Sequence, residues 1–295
     1  MKRRALLGSA AALLLSCRGG TDSSRGVPAP LQATARLVSL TPAITETVLS
    51  LGGAAQLVGV SDYCILPEGL RLPRLGSSLT PSFEAIAGLR PSLILCDDSA
   101  GAKRRELAAL ARCQVLPWLT LPEVVKSTRD IGQVLGKEAA GNALAESLNG
   151  RLSRRSPPGA PRALLLLSYD PDRPADIWFI RRNSLHGAAL AAAGAENAVD
   201  HDVAGLPRLS VEELIKLDPD DVLIIPPPGS TLELRQRLVS AFSALAPLRA
   251  VKAGRVGVVT GASQSVGPSI LGLVDALAAM LQKMAGPRPV SGFVE

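Results

Sequence analysis

Aromatic side chains are scarce in this chain, at 3% of 295 residues, with only two Trp, two Tyr and four Phe. The interior must therefore be packed from Leu, Ala, Val and Ile, and any pocket has few rings to stack on a ligand. Histidine is scarcer still: His186 and His201 are too few nitrogen ligands for a closed zinc or manganese shell, and both read as surface or capping residues. No G-x-S-x-G elbow is present to set a nucleophilic serine beside a base. Lys and Arg are scattered without interleaved aromatics, which argues against nucleic-acid binding. Their densest run, Arg151 to Arg155, suits the C-terminal end of a helix, where cations are favoured. No apolar run is long enough to span a bilayer, the N-terminal one covering only Ala5 to Leu15. What the chain does have is 47% hydrophobic and 20% charged residues, enough for one large or two medium cores.

The first sixteen residues combine a basic start (Lys2, Arg3, Arg4), the short apolar run and small residues, the pattern of a secretory signal. Leu14, Leu15, Ser16 and Cys17 resemble the lipobox of bacterial lipoproteins, which implies cleavage before Cys17 and lipid on that residue. Loss of Lys2, Arg3 and Arg4 leaves a formal charge of +3 from the starting +6. Residues 17–34 then form a lipidated Cys and a flexible tether of small, polar, Pro- and Gly-bearing residues. Three cysteines remain, Cys64, Cys96 and Cys113, an odd count that leaves at least one thiol free. They read as buried free thiols; if a pair forms, Cys64 and Cys96 are expected to make it, both lying near strand ends.

One phrase recurs. SFEAIAGLRPSLILC, from Ser82 to Cys96, returns in altered form as SVEELIKLDPDDVLII, from Ser210 to Ile225. Aligned through Pro91 and Pro219, Ser82 matches Ser210, Glu84 matches Glu212, and Leu89 matches Leu217. Each copy predicts a helix N-capped by Ser, ended by Pro, and followed by a buried strand. A unit recurring once at domain spacing predicts two similar α/β lobes rather than a solenoid. Strands are expected at 36–39, 57–60, 114–116, 163–167 and 256–259, and after the proline of each copy, alternating with helices, hence mainly parallel sheets with the ligand site at the strands' carboxyl ends. Thr120 and Glu123, and again Ser210 and Glu213, form capping boxes. A helix from Lys137 to about Arg155, with Leu144, Leu148 and Leu152 on one stripe, lies between the copies and reads as a stiff connector. The expected organisation is an N-terminal lobe at 35–135, a connecting helix at 136–157 and a C-terminal lobe at 158–295.

VVTGASQSVG, from Val258 to Gly267, is similar to the nucleotide-binding turn of short-chain dehydrogenases. Ser265 stands where the middle glycine is needed, and the chain after Gly267 is too short for a second βαβ half. Neither tyrosine has a lysine four positions on, so the stretch reads as a strand-end loop lining a cleft, and the chain as no enzyme.

RLVSLTPAITETVLSLG near the start, VGVSDYCILP, PSFEAIAGLRPSLIL, a connecting helix and LSVEELIKLDPD together resemble the helical-backbone substrate-binding proteins of ABC importers. Within them the chain is most similar to the vitamin B12 (cobalamin) binding proteins, with siderophore and haem binders as cousins. The resemblance implies an α/β chain of two Rossmann-like lobes joined by one long rigid helix, with the ligand in the cleft between. It implies no cofactor and no catalysis. It implies a monomer lipid-anchored outside the cytoplasmic membrane, carrying a corrinoid, or alternatively a siderophore or haem, to a permease dimer with its ATPase. Glu84 and Glu212 take the positions of the glutamates that meet permease arginines, while each also sits where a carboxylate favours a helix dipole. Tyr63, Ser78, Asp97, Tyr169, Trp178, Leu206, Arg208 and Ser263 are the residues expected to bind ligand. Ser78, Asp97 and Leu206 stand where cobalamin binders carry tryptophan. Acidic siderophore groups would instead call on Arg74, Arg181, Arg182 and Arg208.

Overall fold

The computed structural model describes residues 35–167, 169–173, 177–203, 207–245, 247–260 and 264–285. Cys17, Leu206 and Ser263 therefore lie outside the described residues, as do the signal and tether segments. In the first half, β1 (Leu37–Ser39), α1 (Pro42–Ser50), β2 (Leu57–Val60), α2 (Phe83–Leu89), β3 (Leu93–Cys96), α3 (Arg104–Leu110) and β4 (Arg112–Val115) build a parallel sheet of order β2-β1-β3-β4. Two helices follow, α4 (Leu121–Val134) and α5 (Glu138–Leu152). The second half contains β5 (Arg162–Leu167), β6 (Ile177–Trp178), α6 (Leu185–Ala192), β7 (Glu196–Asn197), β8 (Arg208–Leu209), α7 (Val211–Leu217), β9 (Asp221–Ile225), α8 (Leu232–Ser243), α9 (Arg249–Lys252), β10 (Val256–Val258) and α10 (Ile270–Ala285). Here β10-β9-β5-β7 form a second parallel sheet, and β6 pairs antiparallel with β8.

Read from the opposite edge, the second sheet runs β7-β5-β9-β10, which repeats the order of the first. The recurring phrase occupies equivalent places, α2 with β3 and α7 with β9. Both copies share a backbone feature that spacing does not reveal. Arg90 (φ 45°) and Asp218 (φ 40°), each directly before the aligned proline, are the only non-glycine residues with left-handed backbone among those described. The residue before proline is excluded from the right-handed helical region, so the chain leaves each helix through this turn. Ser210 accepts a hydrogen bond from Glu213 N–H (3.1 Å), closing the expected capping box, and Thr120 does the same for α4. Ser82 occupies the N-cap position of α2, yet its side chain makes no capping bond.

Both sheets are covered on both faces, which is why the central strands β1, β3, β5 and β9 are mainly apolar, while the edge strands β4 and β7 carry polar residues. In the first, Leu37, Leu93 and Leu95 face one core while Val38, Ile94 and Cys96 face the other. In the second, Leu165, Leu223 and Ile225 are separated in the same way from Leu164, Leu166, Val222 and Ile224.

The helix between the halves is shorter than the sequence predicts. Its 15 residues end at Leu152, about 22 Å of rise at 1.5 Å per residue, and Ser153 caps it before Arg154. It is also not solitary. α4 packs along α5 as a helical hairpin, at backbone contact where Gly132 meets Gly141. Together the pair serves both cores: Ile131, Val134 and Leu135 pack with the first, Val124, Leu148 and Leu152 with the second, and Leu144 touches both. Sequence reading also passes over β7, the β6–β8 pair and α9, each too short to show a period.

A Cβ on Gly141 would lie 2.8 Å from the Gly132 Cα, a backbone atom that cannot swing away. Gly-to-Ala inside a helix normally stabilises by about 1 kcal/mol. Gly141→Ala is expected to invert that sign and destabilise by about 1–3 kcal/mol. Gly150→Ala, in the same helix with open space around it, should follow the normal rule. Urea midpoints of the two variants test this; a rise for Gly141→Ala would show that the helices separate freely.

Candidate functional site

The carboxyl ends of the first sheet's strands converge on a cavity of about 360 Å³. It is walled by Leu40 to Ala43 after β1, Ser61 and Tyr63 after β2, Ser77 to Leu79, Asp97 and Ser99 after β3, and Trp118 after β4. Gln264, Ser265 and Val266, after β10 of the second sheet, supply the opposite wall. This is the strand-end location that parallel α/β sheets reserve for ligands, and the volume lies at the small end of ligand sites.

Two contacts hold the opposite wall in place. Trp118 donates its indole N–H to the Val266 carbonyl (2.9 Å). Glu46, from α1, accepts the backbone N–H of Ser269 at the start of α10, where a carboxylate also meets the positive end of the helix dipole. Gly267 makes room for this: a Cβ there would sit 2.5 Å from the Glu46 Oε2.

Inside the cavity the polar groups differ in what remains free. Asp97 is occupied, accepting the backbone N–H (3.1 Å) and the hydroxyl of Ser99. Ser78 is buried and its N–H and hydroxyl both point to the Leu40 carbonyl. Thr41 begins α1, but its hydroxyl makes no cap bond; it is buried, on the cavity wall, and without a partner among the described residues. Two of the lining residues, Tyr63 and Leu79, present well-exposed apolar surface, Tyr63 at 74%.

Of the expected ligand residues, the structure brings Tyr63, Ser78 and Asp97 together here. Tyr169 is elsewhere. It is 3% exposed in the core of the second sheet, its ring 4.6 Å from that of Phe242, and burial with the neighbouring Asp170 pushes its phenol up to about 12. A tyrosine beside a loop looks like a ligand contact in sequence; here its ring is packed into the apolar core. Trp178 and Arg208 lie on the β6–β8 pair, the guanidinium 5.6 Å over the indole, and neither is among the described residues lining the cavity.

The arginines considered for an acidic ligand are engaged with the protein. Arg74 donates to the carbonyls of Ser61 (3.0 Å) and Cys64 (2.6 Å), bracing the loop that carries Tyr63. Arg181 donates to Val203, and Arg182 pairs with Asp202.

His186 also departs from expectation. It is buried in the first turn of α6, and burial lowers its pKa against the opposing hydrogen bond to the Gln264 backbone. Trp118, one of two tryptophans, is the site residue that sequence reading misses. Its position just beyond β4, at the same strand ends as Tyr63 and Asp97, was the available signal.

Glu84 and Glu212 are exposed at the second residue of α2 and α7, one on each half. Glu212 also reaches Lys216 (2.8 Å), an exposed pair of little energetic weight.

The family described as periplasmic binding protein matches residues 37–261. A cobalamin-binding protein of Halobacterium salinarum is 29% identical over 202 residues, 64% of this chain and 53% of its own length, so this chain spans about half of that relative. The vitamin B12-binding protein of Salmonella typhi is 24% identical over 230 residues, covering 71% of this chain and 79% of that one. Among solved structures, the periplasmic haem-binding protein HutB of Vibrio cholerae is similar in fold, with a TM-score of 0.71 at 22% identity over 84% of this chain and 99% of that one.

Removing the charge from Glu46 should loosen the wall it holds. Glu46→Gln is expected to lower stability by about 0.3–2 kcal/mol and to speed amide exchange over residues 264–273, with Trp118→Phe adding to the effect. Unchanged exchange in the double variant would show that these contacts do not fix the cavity.

Proposed function

The chain belongs to the periplasmic binding protein family, and we propose that it is the substrate-binding component of an ABC importer, capturing a corrinoid between its halves. The observation that carries this reading is the cavity at the ends of the first sheet, faced by the strand-end loop of the second and rimmed by exposed apolar residues. The names of the Halobacterium and Salmonella relatives favour a corrinoid. A corrinoid is larger than this cavity, so part of the macrocycle would rest on the exposed Tyr63 and Leu79, replacing water over apolar surface. The Thr41 hydroxyl, enclosed and without a partner among the described residues, would have to be uncovered for a polar substituent to meet it.

Haem or a ferric siderophore is the second reading. The siderophore is favoured over either macrocycle by the poverty of rings, since among the described lining residues only Tyr63 and Trp118 carry them.

Delivery to the permease dimer and its ATPase falls to Glu84 and Glu212. This reading is supported by the topological equivalence of α2 and α7, each glutamate being exposed on its own half. Lipid on Cys17, with residues 18–34 as tether, would hold a monomer outside the cytoplasmic membrane.

Absorbance titration with cyanocobalamin, haemin and ferric siderophores identifies the cargo, because each chromophore reports its own capture. Saturable perturbation of cyanocobalamin is expected, and binding of none of the three would overturn the reading. In cells, Glu84→Arg with Glu212→Arg should abolish uptake while leaving affinity within about twofold, as exposed charges away from the cavity contribute little to it. Cys17→Ser should move the protein out of the membrane fraction. Uptake by the charge-reversed protein, or membrane retention without Cys17, would sink the respective assignments.

A further inference from the structure

The three cysteines are not equivalent. Cys64, one half of the pair expected from strand-end positions, is buried and donates its thiol to the Thr45 hydroxyl (3.1 Å). The sulfurs that face one another are those of Cys96 and Cys113, 3.6 Å apart. Parallel register explains the meeting: Cys113 pairs with Ile94, so Cys96, two residues further along β3, projects from the same face of the sheet as Cys113. Both pack in the core beneath Leu107 of α3. Sequence spacing cannot show this, because the pairing depends on which strands are neighbours and in what register.

We propose that Cys96 and Cys113 form a redox-active dithiol that closes to a disulfide between β3 and β4. The contact must shorten from 3.6 Å to a bond of about 2.05 Å. β4 is the strand with freedom to make that adjustment, being the edge of its sheet and only partly buried.

The two sulfurs are fitted to different parts. Cys113 is half-buried, whereas Cys96 is fully buried. The hydrogen bond from Cys96, together with nearby Arg104, lowers the Cys113 pKa against the opposing effect of burial. The same hydrogen bond and burial raise that of Cys96. Cys113 is therefore the sulfur that meets an oxidant first.

The oxidant is a disulfide, either of glutathione or of a protein thiol oxidase. The Cys113 thiolate attacks it, breaking the oxidant's S–S bond and expelling one thiolate as a mixed disulfide forms. Cys96, losing its proton, then attacks the Cys113 sulfur and expels the second thiolate. One S–S bond is made and one broken; two electrons and, after protonation of the leaving thiolates, two protons pass to the oxidant. A protein of this family exported to an oxidising compartment would meet such an oxidant.

The bond would fix more than the strand edge. Cys96 immediately precedes Asp97, and its carbonyl accepts the N–H of Leu116 (2.8 Å), two residues before Trp118. Closing the bond would pin together the two strand ends that bring Asp97 and Trp118 to the cavity.

The folded protein, equilibrated with oxidised glutathione, alkylated in denaturant without reductant and digested with trypsin, provides the test. Cleavage after Lys103 and Arg112 separates the two cysteines. The expected product is a linked Cys96–Cys113 peptide pair two hydrogens lighter than the free peptides, with Cys64 alkylated. Reductant should then lower the thermal midpoint by roughly 5 °C, and Cys64→Ser should retain both results. Cys113→Ser should lose the linkage and the reductant effect. Alkylation of all three thiols, a linkage through Cys64, or glutathione held on Cys113 without an internal bond would each overturn the assignment.

Discussion

Two helices can run at backbone contact only where neither carries a side chain, and Gly132 and Gly141 supply that condition. The remaining architecture follows from this closeness. With no side chains between them at the crossing, α4 and α5 act as a single plate whose outward residues serve both cores. The separation of the two sheets is then set by side-chain packing against that plate, not by a linker free to bend. Trp118 precedes the first residue of α4 by three positions, so the plate also governs where the indole meets Val266. Glu46 completes the arrangement from the other side by holding the start of α10. A cavity bounded by two halves needs its walls at a fixed distance, and these contacts provide one.

Elements long enough to show a period were legible in the sequence. The strands at Leu57–Val60, Leu93–Cys96 and Asp221–Ile225 stand where apolar runs and flanking prolines indicated, because they are buried on both faces. The internal repetition was legible too, and the matching strand orders show that it extends beyond the shared phrase. The two-residue strands β6, β7 and β8 left no signal, since their pairing is decided by tertiary neighbours.

The site was legible at the level of strand ends and obscure at the level of individual side chains. Tyr63 and Asp97 both line the cavity because topology places the loops after β2 and β3 at the cleft. Tyr169 shares that strand-end position after β5, but its ring turns inward to Phe242 rather than to the cavity. His186 and Trp118 reverse expectation in opposite senses, a polar ring buried behind the cavity and a large apolar ring placed on its wall. Such outcomes depend on rotamer and on what a neighbouring element leaves uncovered, neither of which is written in local spacing.

The Thr41 hydroxyl bears on selection among molecules that fit the cavity equally well. Dry enclosure without a partner costs such a group about 1–3 kcal/mol. The oxygen is enclosed before any cargo arrives, so a cargo presenting only carbon at that point leaves this penalty in place, whereas one whose amide or oxygen reaches the hydroxyl relieves it. Between two cargoes of the same outline, that difference amounts to roughly one to two orders of magnitude in occupancy. One small side chain at the head of α1 can thus reject an impostor that the apolar rim would accept.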